Sequence, residues 1–434
     1  MPENAIAVAL VLPDLTRSVA EEHLSELEKL IETAGGTVVD RVFTKRPRPD
    51  PATYVGSGKA EQLKSLAAQT GAKLIVFDDD LSSAQARNLE KITEVKVIDR
   101  SGLILDIFAG RARSRESRTQ VELAQLEYML PRLTRAWTHL ERQAGGIGTR
   151  GVGETQLELD RRIIRNRIAR LKEELTKIER TRETQRKSRN AVFTVALVGY
   201  TNAGKSTLFN RLTSGSAEMA DKLFATLDAK SARAVFEMPR ETVIIDTVGF
   251  IRKLPHHLVA SFRSTMEEAV AADLVLHVID SSHPQFEDQR AVGEEVLREL
   301  GVQLDRVIEV YNKADLTETG VGSWGSGVGT HLVHPAPDTR HPTPGRCTVS
   351  ALTGRNIDRL IDIIRERELE NGEVLRLEIP HNDARVIAKL HDVAQVYDQT
   401  VTDRAMLITA WIPRDVLHQF EGYASTAMAP AKAG

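Results

Sequence analysis

Between Ile6 and about Gly110, short apolar runs alternate with stretches of helical period: IAVALVLP, apolar positions at Leu24, Leu27 and Leu30, then TVVDRVF, KLIVFDDD and VKVIDR. Strand-length runs separated by helix-length amphipathic segments predict a small α/β domain over residues 1–110. Ser82 ahead of AQARNLEKI is placed to cap a helix, and the proline-rich KRPRPDP at 45–51 reads as a loop. The period changes after about Arg115. Apolar residues fall at Leu123, Leu126, Leu130, Leu133, Trp137 and Leu140, in alternating steps of three and four, within a helix expected to reach Gln143. A second seam passes through Leu157, Ile164, Ile168, Leu171, Leu175 and Ile178, and only AGGIGTRGVG separates the two. Two such seams with a short join predict an antiparallel coiled-coil hairpin over 111–190. Pro131 lies inside the first helix and is expected to kink it, giving a bent arm.

From Val192 the alternation of strand, loop and helix returns and runs to about Arg367, which predicts one doubly wound α/β domain over 191–368. Within it, the segment GVGSWGSGVGTHLVHPAPDTRHPTPG at 320–345 lacks periodicity and reads as a surface loop. The final stretch gives VLRLEIP, an amphipathic segment from Ala384 to Tyr397, and MLITAWIP. These predict a small α+β domain over 369–434, ending in the loose tail AMAPAKAG.

Composition narrows the class. A chain of 434 residues is too long for one ordinary core, and 41% hydrophobic with 27% charged residues is the balance of a folded protein. An aromatic content of 5% excludes a surface built from base-stacking aromatics. The single cysteine, Cys347, excludes an internal disulfide and a cysteine metal cluster, and fits a reducing compartment. No apolar run approaches the roughly 18 residues of a membrane span, and MPENAIAVALVLPDLTRS lacks a basic leader. The expectation is a cytoplasmic monomer without a membrane span. The net charge of −3 conceals an asymmetry: residues 111–190 hold 20 Lys and Arg against 11 Asp and Glu, which leaves 38 and 50 elsewhere out of 58 and 61. The arm is therefore at +9 and the rest at −12, which points to a polyanionic partner for the arm alone.

Chemistry concentrates after the arm. Gly199-Tyr200-Thr201-Asn202-Ala203-Gly204-Lys205-Ser206 follows the strand-like FTVALV and precedes the helix-like stretch beginning at Thr207, the context that G-x-x-x-x-G-K-S requires. Its glycines let backbone amides wrap phosphate oxygens, Lys205 can reach the β- and γ-phosphates, and Ser206 can ligate Mg2+. In TVIIDTVGF, Asp246 can hold the magnesium shell and the Gly249 amide can face a γ-phosphate. Between these, Thr226 in FATLDAK is the candidate switch threonine, closing on metal and γ-phosphate. Lys205, Thr226 and Gly249 are thus the candidate catalytic groups, and Ser206, Thr226 and Asp246 the candidate metal ligands. Asn312-Lys313-Ala314-Asp315 follows RVIEVY. The Asp315 carboxylate can accept from guanine N1–H and its exocyclic amine, a donor pair that adenine lacks. Ser350-Ala351-Leu352 closes the set in CTVSAL.

These four motifs, over about 160 residues, resemble the P-loop GTPases of the translation-factor class and imply binding of GTP and GDP. Two positions depart from many regulatory GTPases. Phe250 follows Gly249 where a glutamine would orient the attacking water, so basal hydrolysis is expected to be slow without outside help. In related GTPases with a hydrophobic residue there, an Asn placed like Asn202 coordinates K+. The alternative is an Asn that suits a tight turn.

The whole arrangement of α/β domain, basic hairpin with the tip GGIGTRGVGETQLELDRR and GTPase domain resembles the HflX family of ribosome-associated GTPases over nearly the full chain. The resemblance implies binding to the large ribosomal subunit, entry of the tip toward the peptidyl-transferase centre, and splitting of stalled or idle ribosomes. Gly145, Gly146, Gly148, Gly151 and Gly153 would allow close backbone approach to RNA, with Arg150, Arg161 and Arg162 as phosphate contacts. The residues alone leave a solvated coiled coil open. Action in ribosome maturation or RNA modification, or a nucleotide-gated RNA-binding scaffold with little turnover, also stays open. Gly56-Ser57-Gly58-Lys59 resembles half a phosphate loop, but lacks its spacing and following hydroxyl. It reads as a turn entering a helix or as an RNA contact, with a second nucleotide site conceivable.

Overall fold

The structure is a computed structural model that describes residues 3–13, 15–133, 156–187, 192–213, 223–224, 226–253, 263–317 and 345–425. Its contacts group the chain into two units. One comprises Met1–Arg182, Ala220–Asp228 and Ile251–Ser264; the other comprises Glu183–Met219, Ala229–Phe250 and Thr265–Gly434. The mixed α/β class expected from the sequence is the class observed.

The first unit opens with β1 (Glu3–Val11), α1 (Arg17–Thr33), β2 (Gly36–Lys45), α2 (Ser57–Thr70), β3 (Leu74–Phe77), α3 (Ser83–Thr93), β4 (Lys96–Asp99) and α4 (Arg100–Arg111). The four strands form a parallel sheet in the order β2-β1-β3-β4. Seven consecutive residues of β1, Ala5–Val11, are buried, as expected of a strand covered on both faces. Leu24, Leu27 and Leu30 of α1 are buried as their spacing predicted. Ser82 caps α3 in a capping box with Gln85. Gly56–Lys59 forms the entry to α2, with Gly56 at φ +90°, the turn that the sequence allowed.

The arm follows as α5 (Arg115–Met129) and α6 (Gln156–Lys187). Arg115 pairs with Glu174, Arg167 forms a two-pronged bond to Glu122 at 2.7 and 2.8 Å, and Lys172 meets Glu127 at 2.8 Å. The first two pairs run in opposite directions along the two helices, as an antiparallel hairpin requires, whereas the third breaks that order. Exposed pairs of this kind add little stability but help to fix register. Leu171 is buried, and Ile164, Ile168, Leu175 and Ile178 are half-buried along the predicted seam. The kink expected at Pro131 lies at the edge of the described residues, which stop at Leu133. The α-helix ends at Met129 and tightens into a 3-10 turn, Leu130–Arg132, because proline cannot donate the next helical bond. The rest of the first seam, with Trp137 and Leu140, lies outside the described residues, as does 320–344 of the loop.

In the second unit, β5 (Phe193–Gly199), α7 (Lys205–Leu212), β6 (Lys230–Arg233), β7 (Thr242–Asp246), α8 (Arg263–Ala271), β8 (Leu274–Asp280), α9 (Phe286–Glu299), β9 (Val307–Asn312), α10 (Ala314–Thr317), β10 (Arg346–Thr348) and α11 (Ile357–Glu370) follow in turn, with the first residues of α8 belonging to the other unit. Their six-stranded sheet runs β10-β9-β8-β5-β7-β6, parallel except that β6 is antiparallel to β7. The core is apolar, built from Val195, Leu197, Leu276, Val278, Ile308 and Val310 against Leu208, Leu360 and Ile364. The chain ends in β11 (Gly372–Pro380), α12 (Ala384–Val393), β12 (Gln395–Val401) and β13 (Ala405–Pro413), an antiparallel sheet in the order β11-β13-β12. The amphipathic stretch expected to reach Tyr397 stops at Val393. From Gln395 the chain is an edge strand on β13, where β-branched and aromatic residues suit a pleated surface.

Candidate nucleotide site

In the second unit the parallel strands deliver every motif at their carboxyl ends, where open α/β sheets bind ligands. β5 ends at Gly199, β7 at Asp246 and β9 at Asn312, and Ser350 follows β10. The loop between β5 and α7 turns sharply, with Gly199 at φ +143°, Asn202 at +62° and Gly204 at +92°. Two of its glycines are obligatory on steric grounds. A Cβ on Gly199 would come within 2.1 Å of the Val278 carbonyl oxygen, and one on Gly204 within 2.2 Å of Asn312 Nδ2. Tyr200, Thr201 and Ala203 are buried, and Thr207 is half-buried in the first turn of α7.

Lys205 is buried, and its ammonium donates to the carbonyls of Gly199 at 3.1 Å and Tyr200 at 2.9 Å. Burial pushes its pKa down to about 8, with Asp246 pulling the other way. The Ser206 hydroxyl donates to Asp246 Oδ2 at 2.7 Å, and Asp246 is fully buried. One hydroxyl and one carboxylate at that spacing fit Mg2+, a cation that takes few protein oxygens and completes its shell with water and substrate phosphate.

The segment after β7 clasps the phosphate loop. Phe250 N donates to Gly199 O at 2.9 Å and Thr201 N donates to Phe250 O at 2.6 Å, while the Phe250 ring is buried. The ring packs in the interior and offers nothing to orient a water. A Cβ on Gly249 would come within 2.7 Å of Thr201 Cα and 2.9 Å of Lys205 Nζ, so this residue has to be bare.

Asn312 ties the site together. Its Nδ2 donates to Ala203 O in the phosphate loop, and its Oδ1 accepts from Ala351 N, both at 2.9 Å. Ser350 Oγ donates to Asp315 Oδ1, fixing the carboxylate that could read guanine, and Leu352 is 71% exposed beside it in sequence. Two supports escaped the sequence reading. Lys313 pairs with Asp280 at 2.7 Å, and Ser281 donates to Asn312 O through both its amide and its hydroxyl. Arg211, from α7, donates to the carbonyls of Ala351 and Leu352 at 3.2 and 2.6 Å. The signal for the first was present: a polar DSS directly after the apolar strand LVLHVI.

Of the remaining sequence candidates, the structure describes Thr226, Arg161 and Arg162. Thr226 is buried and groups with the first unit. Arg161 is half-exposed and Arg162 exposed on α6, while Gly145, Gly146, Gly148, Arg150, Gly151 and Gly153 lie outside the described residues.

Comparison with known proteins accounts for the whole arrangement. Residues 21–109 match a family model described as GTP-binding GTPase N-terminal, 111–189 one described as GTP-binding GTPase Middle Region, and 194–313 one described as 50S ribosome-binding GTPase. The GTPase HflX of Caldanaerobacter subterraneus is 41% identical over 423 residues, 97% of this chain and 94% of that one. The GTPase HflX of Escherichia coli K12 is 44% identical over 399 residues, covering 91% and 89%. A solved GTP-binding protein from Sulfolobus solfataricus in complex with GDP aligns with 83% of this chain and 98% of its own at 23% identity, with a TM-score of 0.43. The chain binds and hydrolyses GTP, and it belongs to the HflX family of GTPases.

Proposed function

We propose that this GTPase acts in the cytoplasm on the ribosome: in its GTP state it binds the large subunit, its arm reaches ribosomal RNA, and it splits stalled or idle ribosomes. The observation that carries the reading is a match to a model described as 50S ribosome-binding GTPase in a chain whose arm alone is strongly basic. Neutralising RNA phosphates is the natural use of such an excess of cations. The tip glycines 145, 146, 148, 151 and 153 would admit RNA backbone, with Arg150, Arg161 and Arg162 contacting phosphate.

The residues divide the work of hydrolysis. Gly199 to Ser206 and Thr207 would cradle the phosphates, with the Lys205 ammonium released from the Gly199 and Tyr200 carbonyls to the β- and γ-oxygens. Ser206 and Asp246, joined by Thr226 in the GTP state, would hold Mg2+, which when bound neutralises charge on the phosphates. The Gly249 amide would sense the γ-phosphate, while Asn312, Lys313, Asp315, Ser350, Ala351 and Leu352 would enclose guanine. With Phe250 buried, water positioning falls to another group, and Asn202 at φ +62° is the candidate to hold a K+ that supplies charge there.

The test is co-sedimentation with large subunits and subunit splitting, in GDP and in a non-hydrolysable GTP analogue. Wild type should pellet more strongly with the analogue, and less as salt rises. Replacing residues 144–153 by a short neutral turn should spare nucleotide affinity and abolish splitting. Wild type that never pellets, or a tip variant that splits equally well, refutes the ribosomal reading and leaves the GTPase intact.

A further inference from the structure

The grip of the first unit on α5 changes partway along the helix. Its buried residues run from Glu116 to Ala124, and none follows in the helix or in the 3-10 turn Leu130–Arg132. The last turn is held by polar contacts instead. Asp99 ends β4, caps α4 and is 1% exposed. Its Oδ1 accepts from Gly102 N at 2.9 Å and from the Tyr128 hydroxyl at 2.7 Å, while Oδ2 accepts from Leu81 N at 3.1 Å and from Arg132 Nη2 at 2.6 Å. Two of these donors belong to the α/β domain and two to the arm root. Arg132 also donates to the carbonyls of Leu81 at 3.0 Å and Tyr128 at 3.1 Å, and its guanidinium lies 3.6 Å from the centre of the Tyr128 ring. The bond to the Tyr128 carbonyl satisfies an acceptor that the end of α5 would leave open. A Cβ on Gly102 would come within 2.7 Å of Tyr128 Oη, so α4 starts on a bare residue where the phenol approaches. Burial, with the Asp99 charge next, pushes the Tyr128 pKa up and keeps its hydroxyl a donor.

We propose that Asp99 is a positioning residue which sets where, and in which direction, the arm departs from the α/β domain, acting through Tyr128 and Arg132. All three lie in the same unit, and their contacts exist in the structure without any movement. A buried carboxylate is costly to leave undercompensated, so these bonds fix the arm root more strictly than exposed pairs such as Arg167 with Glu122. The angle matters because the arm is long. The second arm helix, α6, has 32 residues, about 48 Å at 1.5 Å per residue, so a tilt of about 10° at one end displaces the other by about 8 Å. How the arm is attached is independent of what its tip touches; only the splitting readout rests on the ribosomal reading.

Tyr128→Phe and Arg132→Gln cut the contacts from the arm side and leave the Asp99 cap on α4 in place. Two measurements use the full chain without ribosomes. In hydrogen exchange, amides 126–133 of Arg132→Gln should exchange about ten- to hundredfold faster than in wild type, the factor for a lost bond to a charged group, while 116–124 stay unchanged. Paired spin labels at Ala68→Cys on α2 and Glu173→Cys on α6, both exposed positions, in a Cys347→Ala background report the arm's orientation. Wild type should give one narrow distance, and Tyr128→Phe with Arg132→Gln a shifted or broadened one. Arg132→Lys, which keeps a cation against Asp99, should restore the narrow distance. With ribosomes, the double variant should split subunits more slowly at saturation while its GTP affinity equals that of wild type. An unchanged distance in the double variant overturns the proposal, because apolar contacts then hold the arm alone. Exchange that accelerates equally over 116–124 overturns it too, since the whole helix is then damaged, and failure of Arg132→Lys to restore the distance removes the role of Asp99's charge. A shifted distance with undiminished splitting upholds the attachment and counts against the ribosomal reading.

Discussion

Asn312→Ala removes a side chain that bonds the phosphate loop to the loop after β10. Asn312 is 2% exposed; its two bonds of 2.9 Å leave Ala203 O and Ala351 N without their partner when the amide is lost. An orphaned buried backbone group costs about 1–3 kcal/mol, so the variant should lose about 2–4 kcal/mol of unfolding free energy in the nucleotide-free protein if relaxation is partial. The same bonds hold the loop that would cradle phosphate in register with the loop that carries Ser350. GDP affinity should therefore fall by about tenfold to a hundredfold. Denaturant titration of the nucleotide-free protein and calorimetric titration with GDP give the two quantities. A variant with unfolding free energy and GDP affinity within about threefold of wild type, roughly 0.6 kcal/mol, would show that Asn312 is not the tie described.

Asp315→Asn should weaken GTP by about tenfold to a hundredfold, the cost of losing charged hydrogen bonds, and should bind xanthine nucleotides better than wild type does; unchanged GTP affinity would refute the base assignment. Hydrolysis should run faster in K+ than in Na+ at equal ionic strength and the difference should vanish in Asn202→Ala; equal rates in both salts return Asn202 to a turn residue. His277 on β8 is buried, with Gly293 against its ring, and burial lowers its pKa to about 4, partly opposed by Glu309. Because the unfolded imidazole titrates near 6.5, stability from its neutral form is complete above that pH and is lost on acidification toward 4. Thermal melts should show a shallower acid slope for His277→Leu than for wild type, and parallel slopes would exclude His277 as the cause.

Much of this was legible in the sequence because the informative features are local. β1 reads as a strand because a doubly covered strand has an unbroken apolar run, and Ser82 reads as a cap because capping needs only its own helix. The phosphate loop, DTVG, NKAD and SAL read as one site because backbone geometry fixes their spacing within each element. What failed was also specific. α4 was missed because Leu103, Ile104, Leu105, Ile107 and Phe108 are buried on all sides, so its sequence has no polar face and no period. At Pro131 the α-helix gives way to a 3-10 turn, as a missing donor requires, and the continuation of the expected arm lies outside the described residues. The strand from Gln395 took its identity from β13, a partner that no local window contains.

The deeper gap concerns which charges meet. KLIVFDDD reads from the sequence only as a strand-length apolar run, and the Arg252-Lys253 pair after DTVGFI carries no expectation. In the structure Asp78 is 3% exposed and is bonded by Arg100 at 2.8 Å and by Lys253 at 3.0 Å, with Arg252 at 3.4 Å, while Lys253 also meets Asp79 and Arg100 meets Glu26. Burial alone would raise the Asp78 pKa, but the three cations outweigh it and hold the carboxyl below its ordinary range. Arg100 also donates to the Arg252 carbonyl at 3.2 Å. A buried carboxylate that loses one of its cations is left undercompensated, so this cluster fixes where the chain after Phe250 goes far more strictly than an exposed pair would. The Asp228 carboxylate likewise accepts from the amides of Arg113 and Ser114 and from the Ser114 hydroxyl, so the segments at 226–228 and 251–253 are both anchored through carboxylates within the arm-bearing unit. Hydrophobic period and motif spacing report on elements one at a time. The use of Asp78 and Asp228 as anchors is a property of pairs more than 100 residues apart, and only the fold brings such pairs together.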